Sequence, residues 1–336
     1  MTTPSLENLR RRAALLRETR RFFDAAGYLE VDTPILCSDV VVDAWIEPFV
    51  ATWRADPLAW RTSPGEPRYL QTSPEFSMKR LLAAGATQIY QLGKVFRNGE
   101  VGRRHNPEFT MLEWYRVGDN LDAQLQFTED YLVHMLAFLP RTFTRRFTRQ
   151  PFERLTYEEA FERFTGVSVL REPVAVLQEL ARSRQLTPPP SLSVHDKDGW
   201  LNWLLAELIE PQLGHDGPVF LCDYPAAQSA LAKTVVRPDG IAVARRFELY
   251  IAGVEYCNGY DELTDANELR RRNAAQSAVR AAAGLPPLPE ESRLLAAMER
   301  GLPESSGVAL GFDRLVMLVL GAEEIADVIP FAFPDA

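Results

Sequence analysis

Hydrophobic positions near the N-terminus follow a helical period. Leu6, Leu9, Ala13, Leu16 and Phe23 recur at spacings of three, four and seven, between Pro4-Ser5 and Gly27. That pattern predicts an amphipathic helix with a capped start and a glycine stop. Residues 28–34 then alternate as a strand does and are halted by Pro34. Strand-like runs return at 69–72, 89–97 and 108–117, twice within 246–256, and briefly at 308–310. From about 141 to 214 the period is helical instead. Thr156-x-x-Glu159 forms a capping box there, and residues 200–210 are apolar at helical spacing. Pro188-Pro189-Pro190 is a stiff connector between these two stretches. Long strands with tight turns and no regular βαβ alternation predict an α+β fold, a mostly antiparallel sheet flanked by helices.

Composition narrows the class without choosing a function. The 336 residues are 46% hydrophobic and 25% charged, ordinary for a globular chain. No run approaches the ~20 apolar residues of a membrane span, and the N-terminus is arginine-rich rather than leader-like. Three cysteines far apart (Cys37, Cys222, Cys257) and four histidines without ligand spacing predict neither a disulfide framework nor a zinc site. The expectation is a reduced, cytoplasmic, metal-poor protein. The net charge of -9 offers no general footprint for nucleic acid. Arg10, Arg11, Arg12, Arg17, Arg20 and Arg21 are the one basic cluster, and a solvated helix face is the favoured reading over RNA contact.

Three segments carry candidate chemistry. In 96–109, a polar loop with Arg97, Arg103, Arg104 and His105 joins two strands. On the second strand, the period of two sets Phe109, Met111, Glu113 and Tyr115 on one face. A ring, a carboxylate and a phenol together suit a ligand floor; the competing reading pairs Glu113 with an arginine. In 246–262, a two-residue turn at Ala252-Gly253 places Tyr250 opposite Glu255 and sets Glu248 diagonally on the same face, ~7–8 Å away. Like charges so placed ask for a cation, with nucleotide-borne magnesium a natural choice. A bulged turn would instead put the carboxylates on opposite faces, and two solvated glutamates on an edge is the bland alternative. In 306–318, a strand breaks at Gly311 into an apolar helix with Arg314 in its first turn. The helix dipole disfavours a cation there, which an anion such as phosphate would offset; pairing with Asp313 or another carboxylate is the other reading. No P-loop and no G-x-G-x-x-G is present.

The order of these segments resembles the three motifs of class II aminoacyl-tRNA synthetases. The helix and strand ending at Pro34 resemble motif 1, which forms the dimer interface in that family. Phe96-Arg97 to Tyr115 resembles motif 2, and Gly307 to Leu318 resembles motif 3. Thr72-Ser73-Pro74-Glu75, His105-Asn106-Pro107-Glu108-Phe109-Thr110-Met111 and Asn258-Gly259-Tyr260-x-Glu262-Leu263 resemble the lysyl subgroup. Lysyl-tRNA synthetases have an anticodon-binding domain ahead of motif 1, for which this chain has no room. Together with 111–116 and 306–311, this is similar to the freestanding family of elongation factor P–(R)-β-lysine ligases. The resemblance covers nearly the whole chain as a single catalytic domain, 1–336, with the helical stretch at about 141–214 as an insertion between motifs 2 and 3.

The resemblance implies ATP-dependent activation of (R)-β-lysine as an adenylate and its transfer to a lysine side chain of elongation factor P. It implies ATP and Mg2+ as cofactors, a homodimer, and neither tRNA nor membrane as partner. Arg97 and Arg314 would be the catalytic cations on the α-phosphate. Asn98, Gly99, His105, Asn106, Phe109, Glu255, Tyr256 and Gly311 would complete the ATP site, with Phe109 against adenine. Glu248 and Glu255 would hold the metal. Ser73, Pro74, Glu75, Glu113, Tyr115, Asn258, Glu262 and Ala309 would surround the lysine-like substrate. Ala309 stands where lysyl-tRNA synthetases usually have glycine, so its methyl would favour the β-amino isomer. Gly99 departs from the Arg-Asn-Glu of motif 2, so the usual carboxylate contact to adenine would pass to Glu100 or to a main-chain carbonyl. The alternatives are an α-lysine ligase with another acceptor and a non-catalytic amino-acid-binding paralogue.

Overall fold

The computed structural model describes residues 4–56, 58, 60–62, 64–138 and 146–336. The chain forms two compact units, Met1–Asp119 with Leu263–Ala336, and Asn120–Glu262.

The first unit opens with helix α1 (Leu6–Ala25), whose cap Ser5 accepts a hydrogen bond from the Asn8 amide at 3.1 Å. Gly27 ends it at φ +80, a left-handed conformation that glycine adopts without strain. The strand expected over 28–34 is only β1 (Leu29–Glu30). Past it, Thr33 binds the Gln91 side chain rather than a ladder partner. Strands β2 (Leu36–Cys37), β3 (Val50–Trp53) and β4 (Glu66–Leu70) make a small antiparallel sheet in the order β2-β4-β3. Helix α2 (Glu75–Ala83) leads to β5 (Gln88–Phe96) and β6 (Glu108–Val117), a long antiparallel pair close to the expected bounds. β1 adds to β5 in parallel, and later in the chain β12 (Ser305–Gly311) adds antiparallel to β6. Between them, 119 closes the first segment of the unit and 263 opens the second.

The apolar face of α1 lies on this sheet. Phe23 stacks on Tyr90 at 4.6 Å between ring centres and meets Trp114 edge-on at 5.4 Å.

The second unit begins with α3 (Leu121–Leu136), capped by Asn120. Strand β7 (Glu153–Thr156) and helices α4 (Tyr157–Thr165), α5 (Val174–Ser183) and α6 (Lys197–Leu204) follow. The helical stretch expected from about 141 thus contains a strand as well, and its first residues, 141–145, lie outside the described residues. Thr156 and Glu159 form the reciprocal capping box read from the sequence. Strands β8 (Val219–Pro225), β9 (Thr234–Val236), β10 (Ala242–Ile251) and β11 (Val254–Asp261) complete the unit. β7 pairs with β8 in parallel, while β10 pairs antiparallel with β8, β9 and β11. Its core gathers Tyr157, Phe161, Leu177, Trp200, Leu204, Ile209 and Tyr224.

The first unit resumes with α7 (Ala266–Ala282), α8 (Arg293–Gly301), β12 and α9 (Phe312–Leu320). Mostly antiparallel pairing with flanking helices is the α+β arrangement that the strand pattern predicts. No helix among the described residues is long and apolar enough to cross a membrane.

Candidate active site

In the first unit, β5, β6 and β12 present one continuous face. Period-two alternation puts Phe109, Glu113 and Tyr115 on it, with Ala309 of β12 directly opposite Glu113. Glu113 is fully buried. Ser73 Oγ donates to it at 2.6 Å and the Tyr115 hydroxyl at 3.0 Å, so the alternative in which an arginine pairs with it is not the one adopted. Burial first, then the nearby Glu75 anion, pushes the Glu113 carboxyl up to about 8. Ser73 also accepts from the Glu75 amide at 3.0 Å, which ties the Thr72–Pro74 turn to the start of α2. Glu75 itself is ion-paired at 2.5 Å with Lys79, one helical turn on and 1% exposed. Nothing in the motif spacing singles out Lys79; its i,i+4 offset from Glu75 is the signal that would have found it.

The loop between β5 and β6 carries the candidate nucleotide residues. The Arg97 guanidinium lies 5.3 Å from the centre of the Phe109 ring, with Nε 3.5 Å from the Thr72 carbonyl. Glu100 sits 3.7 Å from Arg97, so its carboxylate is turned toward the guanidinium. Gly99 has φ +83, a value that makes a side chain costly at this turn. The Asn98 amide donates to the Glu47 carbonyl at 2.7 Å. Glu47 is in turn gripped at 2.7 Å by Arg280, a fully buried arginine of α7 that also binds the Asp43 carbonyl. This support behind the loop lies outside every motif. Asn106 is occupied at both ends, donating to the Glu108 carbonyl (2.6 Å) and accepting from the Phe333 amide (2.8 Å).

Gly311 is the first cap residue of α9, and Arg314 stands in the first turn. Arg314 donates to Nε2 of His105 at 2.6 Å. Burial, then the Arg314 cation, holds His105 below its ordinary value, which suits an imidazole acting as acceptor. Asp313 does not serve Arg314. It is buried, accepts from the Thr110 amide at 2.7 Å, and pairs at 2.5 Å with Arg12, which also donates to Thr110 Oγ1 at 2.8 Å. Arg12 therefore departs from the solvated-face reading of the basic cluster: it is 8% exposed and joins α1, β6 and α9.

The second unit holds the other candidate residues on β10 and β11. The turn is the two-residue one supposed, with Ala252 at φ +50 and Gly253 at φ +73. Tyr250 pairs with Glu255. A register shift follows at Tyr256, so Leu249 meets Cys257 and Glu248 meets Asn258. The bulge lies beyond the turn, and Glu255 stays on the side of Tyr250 and Glu248. Glu248 accepts from the hydroxyls of Tyr224 (2.5 Å) and Tyr250 (2.6 Å) and from Arg246. Both phenols are raised well above their ordinary value by burial and then by the Glu248 charge. Burial opposes the charge of Arg246, but Glu248, Tyr260, Tyr224 and Glu255 hold it firmly protonated. The cation beside the acidic pair is thus an arginine of the same strand, resting 4.5 Å over the Tyr224 ring and donating to Asn258. Glu262 is buried and bridges to Ala232.

Two comparisons bear on this geometry. Residues 1–334 match the family described as tRNA synthetases class II (D, K and N). The chain belongs to the class II tRNA synthetases. Among curated relatives of this family, a Klebsiella pneumoniae protein named elongation factor P–(R)-beta-lysine ligase is 43% identical over 326 residues, covering 97% of this chain and 95% of the relative. Proteins of the same name from Erwinia tasmaniensis and Edwardsiella ictaluri are each 43% identical, covering 97% of this chain and 95% and 94% of theirs. Arg97 lies just past the end of β5, Glu113 on β6 and Arg314 in the first turn of α9, all within the first unit.

Proposed function

We propose that this chain activates (R)-β-lysine with ATP and passes it to a lysine side chain of elongation factor P. The observation that carries the reading is Glu113, a fully buried carboxyl with neutral hydrogen-bond donors and a second carboxylate, Glu75, close by. Such an acidic setting suits a ligand that brings ammonium groups of its own. The names of the relatives, at 43% identity over nearly the whole chain, support the substrate and the acceptor.

In this reading the substrate carboxylate attacks the α-phosphorus of ATP, pyrophosphate leaves, and an acyl-adenylate forms. The acceptor lysine amine then attacks the acyl carbon and AMP leaves. No protein nucleophile takes part. Arg97 and Arg314 stabilise the charge that builds on the α-phosphate oxygens. Phe109, already beneath Arg97, offers its ring to adenine. With Gly99 in place of a glutamate and Glu100 turned to Arg97, a main-chain carbonyl of this loop is the acceptor for the adenine amino group. Among the described residues, no group of three or more His, Cys, Asp or Glu is placed to enclose a metal. Two hard carboxylates on one face of the β10–β11 pair do fit Mg2+, which takes one or two carboxylates and completes its shell with water and phosphate. Glu248 and Glu255 would hold it, and it would neutralise phosphate charge. Tyr224, Tyr250 and Arg246 keep Glu248 oriented for that task.

Exposed Leu6, Leu29, Ile35 and Leu36 on and after α1 support pairing of two copies there. A cytoplasmic, tRNA-independent enzyme follows from the same reading.

Amino-acid-dependent exchange of pyrophosphate with ATP tests it, comparing (R)-β-lysine, α-lysine and no amino acid. Exchange strongest with β-lysine is expected; none with either, from folded protein, would overturn it. Because the Ala309 methyl faces Glu113 across the strands, Ala309→Gly is expected to raise α-lysine exchange relative to β-lysine roughly tenfold. An unchanged ratio would remove Ala309 from specificity.

A further inference from the structure

Glu113 sits in the middle of β6 with no exposed surface. The groups facing it come from several elements. Ser73, before α2, and Tyr115, on β6, donate hydrogen bonds, and both are neutral. Gln91 of β5 and Ala309 of β12 pair with it across the sheet, and neither carries charge. The charged groups acting on it are the Glu75 anion from α2 and, less strongly, the Arg97 cation at the end of β5. Lys79 is bound at 2.5 Å to Glu75.

We propose that Glu113 holds a proton in the ligand-free protein and releases it when a ligand ammonium docks beside it, so that amine recognition here is proton-linked. This rests on the reading of Glu113 and Glu75 as an amine site. An isolated buried carboxylate is costly and escapes that cost by neutralising. The nearby Glu75 anion adds to the preference for the acid form. The shift to about 8 agrees with this surrounding. Either hydroxyl neighbour can rotate to accept from the carboxylic acid, so the empty state has a satisfied hydrogen-bond arrangement. An arriving ammonium supplies the missing counter-charge, the carboxyl ionises, and the proton passes to solvent. The carboxyl so acts as a charge filter: a neutral ligand of the same shape gains nothing from it.

The sign follows from linkage. Binding uses the ionised form, which is scarce below pH 8, so affinity rises with pH toward 8 and levels above it. With a value near 8, the gain from pH 7 to pH 8 is about fivefold, and about 0.9 proton leaves per ligand bound at pH 7. Calorimetric titration of the full chain with (R)-β-lysine at pH 7, in phosphate and in Tris, reads the proton directly. The two buffers differ in ionisation enthalpy, and a difference in apparent binding enthalpy equivalent to nearly one proton is expected. In Glu113→Gln the buffer dependence and the pH slope should both vanish. Binding that is independent of buffer and flat from pH 6 to 8 would overturn the proposal and leave the amine reading intact. Proton release that persists in Glu113→Gln would assign it to another group and overturn it equally. No binding of β-lysine at any pH would overturn the amine reading, and this inference with it.

Discussion

Arg97→Ala is expected to lose on the order of 10²–10³ in β-lysine-dependent pyrophosphate exchange, the usual cost of removing one preorganised donor to developing charge. Phe109 lies beneath the guanidinium, the Thr72 carbonyl is beside Nε, and Glu100 is 3.7 Å away. These contacts fix its plane before a ligand arrives. A planar fork bound to two phosphate oxygens is not reproduced by an ammonium, so Arg97→Lys should recover only part of the loss. Its ion pair with Glu100 is partly solvated, so thermal stability should change little. Exchange and a melting curve on the same preparation separate the two effects. Exchange within tenfold of the parent in a folded Arg97→Ala protein would remove this residue from catalysis.

Arg12→Met should destabilise the first unit by about 3–5 kcal/mol, the cost of stranding a buried charge. Arg12 is 8% exposed and Asp313 is 2% exposed, and they approach to 2.5 Å. The pair ties α1 to the first turn of α9, and Thr110 of β6 is bonded to both members. Removing the guanidinium leaves the Asp313 carboxylate with the Thr110 amide but without its cation. Urea unfolding checks this through the shift in midpoint. The double variant Arg12→Met with Asp313→Asn should be less destabilised than the sum of the two single ones, because the stranded charge is gone. Additive losses would show that the pair is not coupled. Because Arg314 follows Asp313 directly, exchange by the single variant should also fall more than its folded fraction explains.

The elements legible in the chain were those with a strong local signature. α1 follows from its apolar stripe and its Ser5 and Gly27 ends, and β6 from strict alternation that also sets Phe109, Glu113 and Tyr115 on one face. The Ala252-Gly253 turn fixed enough of the register to bring Glu255 opposite Tyr250. Short strands such as β2 and β3 carry no such signal, because their partners lie elsewhere in the chain and their own residues are largely exposed. Helix α3 was legible in principle, with Asn120 as cap and Leu121, Leu125, Leu132 and Met135 at helical spacing, but it lies outside the motifs.

The sequence by itself determined residue types at ordered positions: two arginines, a carboxylate sharing a strand face with Phe109 and Tyr115, and an acidic pair on a hairpin. Alternation, capping and turn chemistry act over a few residues and need no fold to be read. Only the tertiary structure decided which charge meets which. Arg12 left the solvated face to meet Asp313, Lys79 claimed Glu75, Arg246 came to lie beside Glu248, and Glu113 kept neutral donors alone. Those pairings follow from burial, since a charge removed from water accepts whichever partner the packing brings within reach. Burial is a property of the assembled layers, which no short stretch of chain encodes.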